Sequence, residues 1–259
     1  MKRIVTTFSR QNWDDYVKDL LPASIEKWPK EIEWQVWLDD GGYNASIGVL
    51  ATAVNHQFLS DDPQHEEFMR QWNAVLEIDG DLRDTIGPKR FPNGWAYDAG
   101  MFCHKVFAMT SPQAIKDANW IIFLGSDVET TQEVTFEWMD KWLKGDLVYL
   151  GRERFTTAET DFVAVNLIGD YGRQFLSALR HVYTSNDLYK YRELCDGYVI
   201  ARLMEVFKGM GADVRNLSEG IDGLDVFEKT ILGERMWHAK GPRGKTILKE
   251  RFKNGQPSG

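Results

Sequence analysis

Residues 118–133 read ANWIIFLGSDVETTQE. The run Trp120–Leu124 is apolar, unbroken and too short for a helix, which predicts a strand buried on both faces. It stops at Gly125, Ser126 and Asp127. A carboxylate just past the carboxyl end of a strand is either a helix cap or a ligand. The stretch that follows, TQEVTFEWMDKWLKG, reads as an amphipathic helix ending at Gly145. Thr130 or Thr131 is the better cap for it, with Glu133 placed to complete a capping box. Asp127 is thereby left without a structural task and is expected to face a ligand.

The elements around this strand predict the rest of the layout. RIVTTF is a β-branched first strand, and NWDDYVKDLLPASIEKWP has helical spacing, with Pro22 expected to bend or interrupt it. EWQVWLDD is a second strand that ends at Asp39 and Asp40. Strand, helix, strand predicts a right-handed crossover in an α/β protein with a parallel sheet. Further on, DDPQHEEFMRQWNAVLE is a helix with Asp62 before Pro63, and DLRDTIGPKRFPNGW is a Gly/Pro-rich surface loop. YDAGMFCHKVFAMTSPQAIKDA is read as a helix with Asp98, Phe102, Lys105 and Met109 on one face. LVYLGRE and TDFVAVNL are strands, and DYGRQFLSALRHVYTS and LYKYRELCDGYVIARLMEVFKGMG are helices.

Composition narrows the function classes. The chain has 259 residues, 43% of them hydrophobic, enough for a sizeable core. A net charge of -8 gives little attraction to a phosphate backbone, although six bases and one acid between Lys240 and Lys253 make a local basic segment that asks for an anionic partner. Two cysteines at no ligand spacing exclude a zinc ribbon and argue against a disulfide framework. No run approaches the roughly 20 apolar residues of a membrane span. The amino-terminal apolar stretch is too short for a signal peptide, so a cytoplasmic location is expected, the host cytoplasm if a phage encodes the chain. Core packing is expected to take most of the ten tryptophans, but exposed indoles also stack on sugar rings and bases, so the count favours a carbohydrate or nucleotide ligand.

ANWIIFLGSDVET resembles the central strand and metal motif of glycosyltransferases with the GT-A fold. IVTTFSRQNWDDYVKDLLPASIEKWP, DAGMFCHKVFAM, VYLGRERFTTAETDFVAVNL, DLYKYRELCDGYVI and ILGERMWHAKGPRGK are similar, in that order, to further blocks of a phage and bacterial group of such enzymes. The resemblance implies a Rossmann-like, mixed, mostly parallel sheet flanked by helices. It implies a single domain over 1–239 and a basic tail over 240–259 that lies partly ordered over the donor site. The implied reaction moves a sugar from a nucleotide-diphosphate donor, a UDP-sugar first, to an acceptor hydroxyl. The acceptor would be a saccharide or a hydroxymethylated base in phage DNA.

The family holds Mn²⁺ or Mg²⁺ with Asp-x-Asp at the strand end. Here Gly125 stands in place of the first Asp, and Asp127 keeps the second. The resemblance assigns Asp127 and His238 to the metal. Thr6, Thr7, Phe8, Lys105, Ser126, Lys240 and Arg243 would then serve the donor; Asp196, an acid on a helix otherwise rich in apolar residues, is expected to act on the acceptor hydroxyl as general base or orienting group. Glu159, Thr160 and Asp161 would line the acceptor site. A GT-A-like protein that binds a nucleotide-sugar or a glycan without catalysis is the alternative that Gly125 raises.

Overall fold

The computed structural model describes residues 1–39, 55–78, 98–153, 155–223 and 225–253. The expected loop over residues 81–95 and Asp40 lie outside them. A seven-stranded sheet has the order β3-β2-β1-β4-β7-β6-β8. Its strands are β1 (Lys2–Phe8), β2 (Glu33–Leu38), β3 (Asn55–Phe58), β4 (Trp120–Leu124), β6 (Leu147–Leu150), β7 (Glu159–Asn166) and β8 (Val214–Asn216). β1, β2, β3 and β4 run parallel, β7 is antiparallel to both of its neighbours, and β8 is parallel to β6. The expectation of a mixed, mostly parallel sheet flanked by helices holds.

Alternation along the central strands feeds two cores, because successive strand side chains point to opposite faces. Ile4, Ile122, Leu124, Val148, Phe162 and Ala164 face one core together with the tryptophans at 28, 34, 138 and 142. Val5, Ile121, Phe123, Leu147, Val163 and Val165 face the other, under the helices Pro63–Ile78, Ala99–Thr110, Asp170–Thr184 and Asp196–Gly209. Each fully buried Ile or Phe is worth about 1.5–3 kcal/mol. Eight of the ten tryptophans are buried and Trp237 is half-buried, so core packing accounts for most of the indoles, as expected; Trp95 lies outside the described residues.

Several local expectations need correction. Pro22 does not interrupt its helix, which runs Lys18–Ile25; a π-helical turn over Trp13–Val17 precedes it. Thr130 and Thr131 cap nothing. Val128–Thr130 is strand β5, where the Thr130 hydroxyl accepts from Trp28 Nε1 at 2.9 Å and its N–H donates to Ser24 Oγ at 3.1 Å. The helix starts later, at Phe136–Trp142, and Thr135 caps it through Trp138 N–H at 3.2 Å. Asp98 is the N-cap of Ala99–Thr110 and Met109 is fully buried, so Asp98, Phe102, Lys105 and Met109 do not share one environment. Asp196 does not sit inside a long helix from Leu188: a 3₁₀ turn ends at Lys190 and the helix begins at Asp196 itself. The basic segment 241–253 is helical. No helix among the described residues is long and apolar enough to cross a membrane.

The reading of Asp62 before Pro63 is met. Its Oδ1 accepts from Gln64 N–H at 3.0 Å, and both its oxygens accept from Arg180 Nη2 at 2.7 and 2.6 Å. Behind this cap His65 Nε2 and His104 Nδ1 share a hydrogen bond of 2.9 Å. Burial, then the neighbouring His104, lower the His65 pKa to about 4. The folded chain therefore keeps His65 neutral at pH values where the unfolded chain protonates it. Stability should be complete above pH ~6.5 and fall by about 2–3 kcal/mol as pH drops towards 4. Urea titrations of the wild type and His65→Gln between pH 7 and pH 4 should show a shallower acid loss in the variant; parallel curves would refute the buried neutral pair.

Candidate active site

β4 ends where the sheet opens. Gly125 N–H donates to Asp161 O at 2.9 Å, which carries the antiparallel ladder one step past Leu124 and Phe162. Val128 N–H then bonds back to Gly125 O at 3.1 Å, closing a turn that leaves Asp127 at its tip. A two-stranded ribbon completes the site. β5 pairs antiparallel with β9 (Met236–His238), Val128 opposite His238, and Ala239 N–H donates to Asp127 O at 2.9 Å. Residues far apart in sequence are fixed side by side by backbone bonds.

Three side chains converge there. His238 Nε2 lies 3.6 Å from Asp127 Oδ1 and 3.2 Å from Asp161 Oδ2. Asp127, Asp161 and His238 each present a ligand atom, all within 4.8 Å of one another. Their charges are balanced by cations from separate elements. Lys105 Nζ, from Ala99–Thr110, is 3.3 Å from Asp161 Oδ1, 3.1 Å from Asp196 Oδ2 and 2.8 Å from Thr160 Oγ1. Lys245, from Gly241–Lys253, is 3.6 Å from Asp127 Oδ2. Arg152 and Lys240 both pair with the buried Glu159.

Titration follows from this arrangement. Burial works against the His238 imidazolium, but the hydrogen bond and charge of Asp161, with Asp127 and Glu159, outweigh it and raise the pKa to about 9. Burial also opposes ionisation of Asp161, yet Lys105 and His238 hold its carboxyl well below the usual carboxylate range. Burial, then the nearby Asp161, push Asp127 up. Lys105 is raised because Asp161 and Asp196 outweigh its own desolvation. Two carboxylates facing one imidazole in a site shielded from water make a place where a cation is favoured.

The group opens into a cavity of about 960 Å³. Of the residues read from sequence, Thr7, Phe8, Lys105, Ser126, Asp127, Asp196 and Lys240 line it, as do Glu159, Thr160 and Asp161. His238 stands behind the wall, 6% exposed, in contact with Asp161. Thr6 does not line this cavity; its buried hydroxyl has no hydrogen-bond partner and faces a small void beside Ser24 and Trp34. The Arg243 side chain lies outside the described residues. Phe102, read on one face with Lys105, and Lys245 of the basic segment also line the cavity, as do Arg152, Met101 and His104, which carried no signal of their own in the sequence. A second group, His65, Cys103 and His104, also has ligand atoms within 4.8 Å; there His65 Nε2 and His104 Nδ1 bond each other and the Cys103 thiol donates to Gly100 O at 3.2 Å.

No protein-family model matches the chain and no curated protein does. Solved structures match over nearly its whole length. An active-site mutant of LgtC covers 98% of this chain and 96% of its own at 11% identity, with a TM-score of 0.54. The galactosyltransferase LgtC in complex with donor and acceptor sugar analogues covers 98% and 94% at 16% identity, with a TM-score of 0.51. The fold is GT-A. At these identities the likeness concerns the fold; the phage and bacterial group named from sequence stays an expectation. On a GT-A sheet the Asp127 turn sits at the carboxyl end of the central strand, beyond which α/β sheets bind their ligands.

Lys105 is the cation shared by Asp161 and Asp196, with its side chain 16% exposed. Lys105→Met should leave both carboxylates buried without that partner, costing about 3 kcal/mol, or roughly 6–10 °C in melting temperature at pH 7. Because the Asp161 pKa is depressed, its contribution is present above its unfolded value and lost as pH falls through the folded one. The gap between variant and wild type should therefore begin to narrow only below about pH 4 and keep narrowing towards the depressed folded value. Thermal melts at both pH values check this, and equal melting temperatures at pH 7 would remove Lys105 as counter-charge.

Proposed function

We propose that the chain is a nucleotide-sugar-dependent glycosyltransferase. The observation that carries this reading is the Asp127–His238 pair, held by the β5–β9 ribbon at the end of the central strand of a GT-A sheet, with Asp127 lining a cavity large enough for a nucleotide-sugar. The donor set suits a hard divalent cation, Mn²⁺ or Mg²⁺, with carboxylate oxygen and one imidazole nitrogen. When bound, such an ion neutralises charge that develops on the leaving diphosphate.

The chain's own residues do the remaining work. Thr7 and Phe8, at the end of β1, flank the place for base and ribose. Lys240 and Lys245 reach the cavity as phosphate partners and can exchange Glu159 and Asp127 for a more highly charged anion. Asp196 is 2% exposed at the first turn of its helix, and its Oδ1 accepts the Gly197 N–H at 2.8 Å. In this reading its other oxygen, ion-paired to Lys105, orients the acceptor hydroxyl and takes its proton. In the transfer the hydroxyl oxygen bonds to the sugar carbon, the bond from that carbon to the phosphate oxygen breaks, and the nucleoside diphosphate leaves with the electron pair.

A UDP-sugar is the first donor to try. A saccharide or a hydroxymethylated base in phage DNA remains the acceptor class. The binding-only alternative rests on Gly125, which removes one carboxylate from the family motif. Thermal unfolding with UDP-, GDP-, CDP- and dTDP-sugars, each with and without Mn²⁺, separates these readings. Saturation at a hundred times Kd adds about 2.7 kcal/mol, a rise of roughly 5–10 °C. We expect one nucleotide to give that rise only with Mn²⁺, Asp127→Ala to abolish it, and the nucleoside diphosphate to be released when acceptor is added. A metal-dependent shift without release under any acceptor favours the binding protein. Full donor affinity and turnover in Asp127→Ala would sink the proposed metal role.

A further inference from the structure

The Gly125 departure has a spatial counterpart. Leu124 pairs with Phe162 in the antiparallel β4–β7 ladder, so the next cross-strand pair is Gly125 with Asp161. Directly opposed residues in such a ladder point their side chains to the same face. At this pair there is room for one side chain. A Cβ built on Gly125 would lie 2.5 Å from Asp161 Oδ1 and 2.8 Å from both its Cβ and its Cγ. These distances are well inside van der Waals contact, and the obstacle is the stem of the side chain as well as its tip. The Asp161 carboxylate therefore fills the volume into which a side chain at 125 would have to grow.

What fills that volume is itself a carboxylate aimed at the same neighbours. Asp161 Oδ2 approaches His238 Nε2 to 3.2 Å, and the same nitrogen faces Asp127 Oδ1 at 3.6 Å. The other Asp161 oxygen is held by Lys105 at 3.3 Å, which fixes the carboxylate's orientation from the cavity side, as outer partners of metal ligands do. Thr160, the preceding residue, binds Lys105 through its hydroxyl and its carbonyl, at 2.8 and 3.3 Å.

We propose that the metal-binding carboxylate lost at position 125 has moved across the sheet to Asp161, so that one cation is held by Asp127, Asp161 and His238, two carboxylates from two strands. The inference rests on the glycosyltransferase reading for its metal and alters what Gly125 means: the substitution makes room for the relocated ligand instead of abolishing the site. Asp161 thereby leaves the acceptor-lining role assigned from sequence.

The test is direct binding of MnCl₂ to the full chain, with the free ion counted by electron paramagnetic resonance, with and without UDP. Asp161→Asn keeps the shape and should weaken Mn²⁺ binding about tenfold or more, the scale on which even outer partners matter. Gly125→Asp alone should collide with Asp161 and lower the melting temperature. The exchange Gly125→Asp/Asp161→Gly should remove the collision and return Mn²⁺ affinity to within a few-fold of wild type. If Asp161→Asn binds Mn²⁺ as the wild type does while Asp127→Asn does not, the relocation is wrong and the metal reading stands. A folded exchange variant that stays as weak as Asp161→Asn would also overturn the relocation. A wild type that takes up no Mn²⁺ even with UDP would overturn the metal reading and this proposal together.

Discussion

The arrangement depends on holding two carboxylates, Asp127 and Asp161, against one imidazole in a place mostly closed to water. Like charges in low dielectric repel strongly, and the pair persists only because each member has its own cation. Lys105 rises from beneath the sheet to Asp161, and Lys245 descends from the carboxy-terminal helix to Asp127. His238, protonated at neutral pH in the absence of another cation, stands between them. Each cation comes from a different element, so the packing of those elements and the neutrality of the site are one problem. A ligand that brings positive charge competes with His238 and Lys245 for the same oxygens.

The sheet solves this problem through backbone bonds. Asp161 is fixed by a ladder step, Gly125 N–H to its carbonyl, and Asp127 by Ala239 N–H to its own carbonyl. Neither carboxylate must spend its side chain to hold its position. Their oxygens remain available for counter-ions, whereas a helix cap such as Asp98 spends an oxygen on the backbone N–H of its own helix.

The sequence made the fold legible where a strand is buried on both faces. Trp120–Leu124 is apolar throughout, and its length and its abrupt end at Gly125 need no partner to be recognised. Strands β5 and β9 were invisible because three residues each carry no period; their pairing is made by the tertiary fold. The cap was misplaced for a related reason. Thr130 and Thr135 are equally suited by residue type, and only the buried Trp28 indole decides that the Thr130 hydroxyl is already engaged. Asp127 and His238 could be proposed from motif and resemblance. The partnership of Asp161 with Gly125 could not, because β6 and a long connection intervene between β4 and β7, and no spacing along a chain reveals cross-strand register.

The basic segment takes a different meaning once its position is known. In sequence it stands out against a net charge of -8 and invites a polyanion such as DNA. In the fold Leu248 is fully buried, which ties the helix to the body. Lys249 pairs with Asp15 at 2.7 Å, Lys245 with Asp127 at 3.6 Å, and Lys240 with Glu159 and with Asp225 at 3.4 Å. Binding to a duplex backbone gains by neutralising many phosphates with otherwise solvated cations and releasing their counter-ions. Lysines already facing acids of their own chain release few. They are better suited to one compact, doubly charged group that enters the cavity and outcompetes a single carboxylate at each. A diphosphate has that chemistry, so this segment fits the donor role proposed for the Asp127 cavity better than a duplex backbone.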